Sequence, residues 1–337
     1  MPRIELRTDL DRPVLDAILE LIDASTKIEG HRPVGEHKYS HLVVGADNWA
    51  GVLAYEGQQL IGYAHTRWNA PGAVPRMAVE VVVHPDWYGS DVARLLVLQA
   101  RGMLARAGGG VMFLWVHHVD DPETTLARRL GFAVQRQLAF MRRELATPPA
   151  QPEWPEGIEV RAYRPDVDDA EFLRVNNIAF RGHPENGGWD RADFLERRAL
   201  DWFEADGLLM AWRRDSVGAT RGGMAEYDRL LGFHWTKWHG HGSDEVPAHD
   251  PVGEVYVLAV DPEAQGSGLG RTLLAAGLRH LHARGCREAV LYVDCASTSA
   301  VRLYESEGFA LTYQEVCYAD EVSPVVEHRS DLLRPAF

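Results

Sequence analysis

One residue offset constrains this chain more than any other feature. When the first half is displaced by 177 positions, Val83 falls on Val260, Pro85 on Pro262, Gly89 on Gly266 and Arg94 on Arg271. The match continues with Leu104 on Leu281, Gly108 on Gly285, Leu114 on Leu291, Gly131 on Gly308 and Phe132 on Phe309. Upstream, IGYAHTRW (61–68) corresponds to LGFHWTKW (231–238) at an offset of 170, so the second copy carries extra residues, expected within HGHGSDEVPAHDPV. A fixed spacing of glycines between periodic segments predicts one supersecondary unit built twice.

The joint between the copies is legible. ATPPAQPEWPEG (146–157) holds four prolines, which fix φ and remove ladder donors, so it reads as an extended linker. The expected division is therefore 1–145, linker 146–157, 158–320, and a loosely attached tail 321–337. In the second copy GEVYVLAV (253–260) is β-branched and aromatic and stops at Asp261-Pro262, a strand. In the following helix Leu274, Leu278 and Leu281 share one face, and Gly285 suits its C-terminal cap. EAVLYVD (288–294) is a further strand, and STSAVRLYESEGF a second helix with Ser/Thr capping candidates. Strand, helix, strand favours a right-handed parallel crossover. Each half is expected to be mixed α/β, a twisted sheet flanked by helices.

Charge and cysteine content narrow the function classes. Lys+Arg is 35 against Asp+Glu 49, a net charge of -14, which opposes a nucleic-acid footprint. Cys286, Cys295 and Cys317 form no CxxC and no disulfide framework, as expected of a reducing cytoplasm. The N-terminus lacks the apolar stretch of a signal peptide, and no apolar run suggests a membrane span. His234, His239 and His241 lie close together but lack a cysteine partner and the HExxH spacing, so they are read as a polar loop and no metal is expected. Ser267 lacks a GxSxG frame and is not read as a nucleophile.

The loop Gln265-Gly266-Ser267-Gly268-Leu269-Gly270-Arg271 lies between a strand and a helix N-terminus. Glycines let backbone N–H groups converge, and the helix start adds partial positive charge, so the loop suits a pyrophosphate. It is neither a Walker A loop nor GxGxxG. With the preceding Val260-Asp261-Pro262 and the downstream Tyr304 and Glu307-Gly308-Phe309, it resembles the acyl-CoA motif of the GNAT N-acetyltransferases. The segments RPVGEH (32–37), RVNNIAFRGHPENGGW (174–189), LLGFHWTKWH (230–239), GEVYVLAVDP (253–262) and AVRLYESEGF (300–309) extend the resemblance to the tandem GNAT family of actinobacteria that makes mycothiol.

The resemblance implies two tandem GNAT domains and transfer of acetyl from acetyl-CoA to the cysteinyl amine of desacetylmycothiol, cysteine joined to glucosaminyl-inositol. It implies Glu254 as general base and Tyr304 as the acid for the leaving thiolate, because a partly protonated α-amine must lose a proton before attack. It implies substrate contacts from Glu36, Glu185, Lys237, Glu254 and Tyr292. Acetyl-CoA would meet Leu258, Ala259 and Val260, the loop Gln265 to Arg271, and Ser297, Thr298, Ser299, Ala300, Val301 and Arg302; in the first half it could lie along Val81, Val82 and Val83. Ser297 stands where the family usually has Asn, and Gly266-Ser267 where it often has basic residues. The expected partners are these two small molecules, with no nucleic acid and no membrane, and the chain a monomer.

The first copy has lost the chemistry. Asp91 and Ala93 replace Gly268 and Gly270, Met77 replaces Glu254, and Ala127 replaces Tyr304. The first half is therefore expected to be non-catalytic and at most weakly occupied by acetyl-CoA. Two other readings stay open: a GNAT enzyme for a different small amine or amino sugar, and a non-catalytic acyl-CoA-sensing module.

Overall fold

A computed structural model describes residues 2–29, 33–35, 42, 48–68, 75–182, 186–213, 229–239 and 251–325. The first half runs β1 (Arg3–Arg7), α1 (Arg12–Glu29), β2 (Trp49–Glu56), β3 (Gln59–Trp68), β4 (Arg76–Val83), α2 (Val92–Arg106), β5 (Gly110–Val119), α3 (Leu126–Arg129) and β6 (Ala133–Glu144). The second half runs β7 (Ile158–Ala162), α4 (Asp169–Ala179), α5 (Arg191–Arg198), β8 (Leu208–Arg213), β9 (Arg229–His239), β10 (Val252–Val260), α6 (Leu269–Ala283), β11 (Glu288–Asp294), α7 (Thr298–Ser306) and β12 (Ala310–Val322). Each half is mixed α/β, and the offset survives in the geometry: α2 and α6 start and end 177 positions apart. Even the capping turns repeat, since Ser90 Oγ donates to the Trp87 carbonyl and Ser267 Oγ to that of Ala264, each at 2.6 Å.

The compact units do not follow the division expected at the linker. One unit is Met1–Leu138 with Asp294–Ala296 and Tyr313–Phe337; the other is Ala139–Val293 with Ser297–Thr312. The boundaries 145 and 320 are thus corrected, and the reason is strand pairing. β12 runs antiparallel to β5, with Tyr318 opposite Leu114 and Val322 opposite Gly110. The start of the presumed tail, Glu321 and Val322, is therefore laddered strand. Residues 326–337 lie outside the described residues, as do 240–250, where the extra residues of the second copy were expected.

In the first unit the strand order is β1-β2-β3-β4-β5-β12. α1 covers one face through Ile18, Leu21 and Ile22 against Leu53 and Tyr63, and α2 the other through Leu96 and Leu104 with Val52, Met77 and Val79. In the second unit the end of β6 lies beside β11, followed by β10, β9, β8 and β7. Phe172 of α4 and Phe194 of α5 stack at 4.2 Å over Phe233 and Trp235 on one face. Leu269 and Leu273 of α6 fill the opposite face. No described helix is long and apolar enough to cross a membrane.

The parallel pairing at the centre of each unit stops early. β4 and β5 are in register only from Arg76/Val111 to Glu80/Trp115, and β10 and β11 only from Val252/Glu288 to Glu254/Val290. Beyond those points, among the described residues, Val81–Val83 pair only with β3, and Val255 and Val257–Val260 only with β9. A parallel edge without its partner leaves backbone groups to be satisfied by something else.

Candidate active site

Glu254 sits at the last register pair before β10 parts from β11. Lys237 stands directly opposite on β9, and one-face alternation puts His239 beside it. His239 Nε2 is 2.7 Å from Glu254 Oε2. The ammonium of Lys237, whose residue is only 5% exposed, lies 5.1 Å from the centre of the Trp202 ring, a cation–π placement. One residue further, a register shift between Val255 and Val257 inserts Tyr256 as a bulge. Tyr256 and Val257 then both join the aromatic cluster around Trp235. A bulge of this kind re-aims the strand.

The structure brings together Glu254 and Lys237, and it adds His239, which sequence reasoning missed. His234 and His239 do not form a polar loop: both belong to β9, and His241 lies outside the described residues. His234 faces the opposite side, fully buried, with Nδ1 donating to the Leu273 carbonyl at 2.9 Å, and burial pushes its pKa down to about 4. The signal for His239 was available in part, since it stands two residues after Lys237 and shares its face. Tyr292 is on β11, 44% exposed, with its ring 4.9 Å from that of Phe140. Glu36 and Glu185 lie outside the described residues.

The glycine loop adopts a left-handed turn. Gly266 has φ 77° and Gly268, the N-cap of α6, has φ 86°, values that a Cβ disfavours. Gly270 lies beside Val260 and Leu303. Gln265 donates to the Val260 carbonyl at 3.4 Å, tying loop to strand. Arg271 is held by Glu307 at 2.7 Å and by the Ser306 hydroxyl at 3.0 Å, so it braces the loop against α7. Ser297 is the N-cap of α7 but makes no capping hydrogen bond, and Thr298 to Arg302 form the first turns of that helix. Tyr304 on α7 is 7% exposed and packs edge-on against Phe309 at 5.8 Å. Burial holds its hydroxyl well above the ordinary tyrosine value.

The first unit keeps the shape and changes the groups. A cleft of about 290 Å³ is lined by Val81, Val82, Val83, Tyr88, His117 and Ala127 among others. Asp91, the N-cap of α2, has φ −77°, so the left-handed cap of Gly268 is gone. Met77 and Ala127 are buried core residues with no proton to exchange.

Residues 177–309 match the acetyltransferase (GNAT) family. Among curated relatives, the mycothiol acetyltransferase of Nocardia farcinica is 42% identical over 313 residues, covering 92% of this chain and 95% of that protein. That of Streptosporangium roseum is 38% identical and covers 94% and 98%. Among solved structures, a tandem GNAT protein from the clavulanic acid biosynthesis pathway aligns with a TM-score of 0.69 at 17% identity, covering 97% of this chain and all of the other. A GCN5-related N-acetyltransferase from Sphaerobacter thermophilus aligns at 0.67 and 22%, covering 96% and 97%. These two establish the fold.

Proposed function

The chain belongs to the mycothiol acetyltransferase family of GNAT enzymes, and on that footing we propose that it transfers acetyl from acetyl-CoA to the cysteinyl amine of desacetylmycothiol, giving mycothiol and CoA. The observation that carries the reading is the meeting of Glu254, Lys237 and His239 at the point where β10 leaves β11. There an unpaired strand edge can hold the thioester beside a carboxylate.

The chemistry follows from the groups. An α-amine has a pKa of about 7.7–8.0, so a large share is protonated near neutrality. Glu254 takes one proton from the ammonium, and the freed lone pair attacks the thioester carbonyl. Backbone amides near Leu258 to Val260 hold the developing oxyanion. As the C–S bond breaks, Tyr304 gives its proton to the CoA sulfur; the second proton of the amine leaves to solvent, from which Tyr304 is restored, and Glu254 releases the proton it took to solvent, which resets the base. The Gly266–Gly270 loop and the start of α6 hold the CoA pyrophosphate. Lys237, Tyr292, Glu36 and Glu185 bind the sugar and inositol hydroxyls. The first half, with Met77, Ala127 and Asp91, has no turnover of its own. Cys286, Cys295 and Cys317 form no disulfide and fit a reducing compartment, and the cytoplasm is the proposed location.

CoA-thiol release with purified protein tests this directly. Desacetylmycothiol should be acetylated with a kcat/KM at least a hundredfold above that for glucosaminyl-inositol lacking the cysteine, or for free amino sugars. Faster turnover of an amino sugar would replace the substrate assignment. No thiol release with any amine, alongside tight acetyl-CoA binding, would favour a sensing module.

A further inference from the structure

Glu254 stands between two basic neighbours on β9. Lys237 is its direct cross-strand partner, and His239 is the diagonal one. The carboxylate meets the imidazole, at 2.7 Å. Both side chains are mostly shielded, Glu254 at 14% exposed and His239 at 22%, so the contact is not a solvated surface pair. An ionised carboxylate has no hydrogen to give, so the contact requires the imidazole to carry its proton on Nε2 and to donate it.

We propose that His239 is the positioning residue for the base: its Nε2–H holds one carboxylate oxygen of Glu254 and turns the other toward the substrate amine. The assignment rests on the proposed reaction and adds a residue to it. Held by His239, the carboxylate is kept from turning onto the ammonium of Lys237, which stays against Trp202 to serve the substrate. A carboxylate that swung onto Lys237 would form an internal ion pair and present both oxygens away from the amine. During turnover the proton passes from the ammonium to the free oxygen of Glu254, and His239 keeps its own. His239 neither accepts that proton nor touches the thioester, so it acts only through Glu254.

The geometry makes this role measurable. His239→Ala should lower kcat for desacetylmycothiol acetylation by about 10–100-fold, the range seen when a group that orients a functional residue is removed. KM for acetyl-CoA should be unchanged. His239→Gln, whose amide N–H can also donate, should recover most of the loss. Because His239 acts through Glu254, the double variant Glu254→Gln/His239→Ala should be no slower than Glu254→Gln alone. Wild-type kcat in His239→Ala, or losses that multiply in the double variant, would overturn the assignment. A readout without substrate separates this from the reaction itself. With ¹⁵N-histidine labelling, wild-type protein should show a low-field, exchange-protected ring N–H from His239, and Glu254→Ala should abolish it. If the protein fails to turn over desacetylmycothiol but the protected signal behaves as stated, the substrate reading fails and the pairing stands; absence of that signal in folded wild-type protein overturns the pairing.

Discussion

In the proposed reaction Tyr304 needs only two properties to act as the acid. It must hold a proton at working pH and lie where charge leaves. Burial on α7 raises its pKa, so the phenol stays protonated throughout the range in which an amine can attack. Its ring is fixed by the edge contact with Phe309, independently of the hydroxyl. Tyr304→Phe therefore removes the proton and keeps the packing. Its kcat should fall by roughly 10²-fold or more, the scale of general acid catalysis, while calorimetric titration gives an unchanged acetyl-CoA affinity. A large loss of affinity with normal kcat would make Tyr304 a binding residue.

Elements succeed here through close approach. α6 lies on β9 because Gly277 has no side chain: a Cβ there would come within 2.1 Å of His234 Nδ1. That same nitrogen donates to the Leu273 carbonyl. Gly277→Ala should force helix and strand apart and cost roughly 1–3 kcal/mol, read as a lower denaturation midpoint at constant slope. An unchanged midpoint would mean that α6 can shift at no cost. At this scale the sequence was largely legible. The β-branched run 253–260, the leucine stripe of the following helix and the glycines at 266, 268, 285 and 308 mark β10, α6, their loop and the helix ends, because each signal is local. The placement of His239 was not legible, since it depends on the β9–β10 register, which sets His239 opposite Val252 and Lys237 opposite Glu254. Nor was the destination of β12: a strand's pattern states that it pairs, not with which neighbour.

The whole molecule is a duplicated unit whose first copy has Met77 and Ala127 at the positions of Glu254 and Tyr304, and that copy holds a charge cluster of its own. A register shift between Gln314 and Val316 sets Glu315 of β12 against two residues of β5, His117 and His118. His118 takes φ 54°, a left-handed conformation that costs a non-glycine residue roughly 1 kcal/mol, and its ring stacks on Tyr313 at 4.5 Å. The bulge leaves His117 Nδ1 3.1 Å from Glu315 and Nε2 3.4 Å from Glu80, the latter a charge contact more than an aligned hydrogen bond. Glu80 in turn accepts from the Gly35 amide at 3.0 Å. Burial alone would lower the pKa of His117, but the two carboxylates outweigh it and raise it to about 10. This pins the late strand β12 to β4 and β5. The sign of the linkage is set by the raised value. The unfolded imidazole titrates near 6.5, so the stabilisation is complete below about pH 6.5 and is lost as pH climbs toward 10. Replacing His117 by Gln leaves the buried Glu80 and the partly buried Glu315 facing a neutral group, which should cost up to roughly 3–5 kcal/mol at pH 6. Chemical denaturation of both proteins from pH 6 to 10 should show the wild-type advantage shrinking steadily over that interval. A difference that stays constant with pH would show that His117 packs there as a neutral ring and that the carboxylates do not hold its proton.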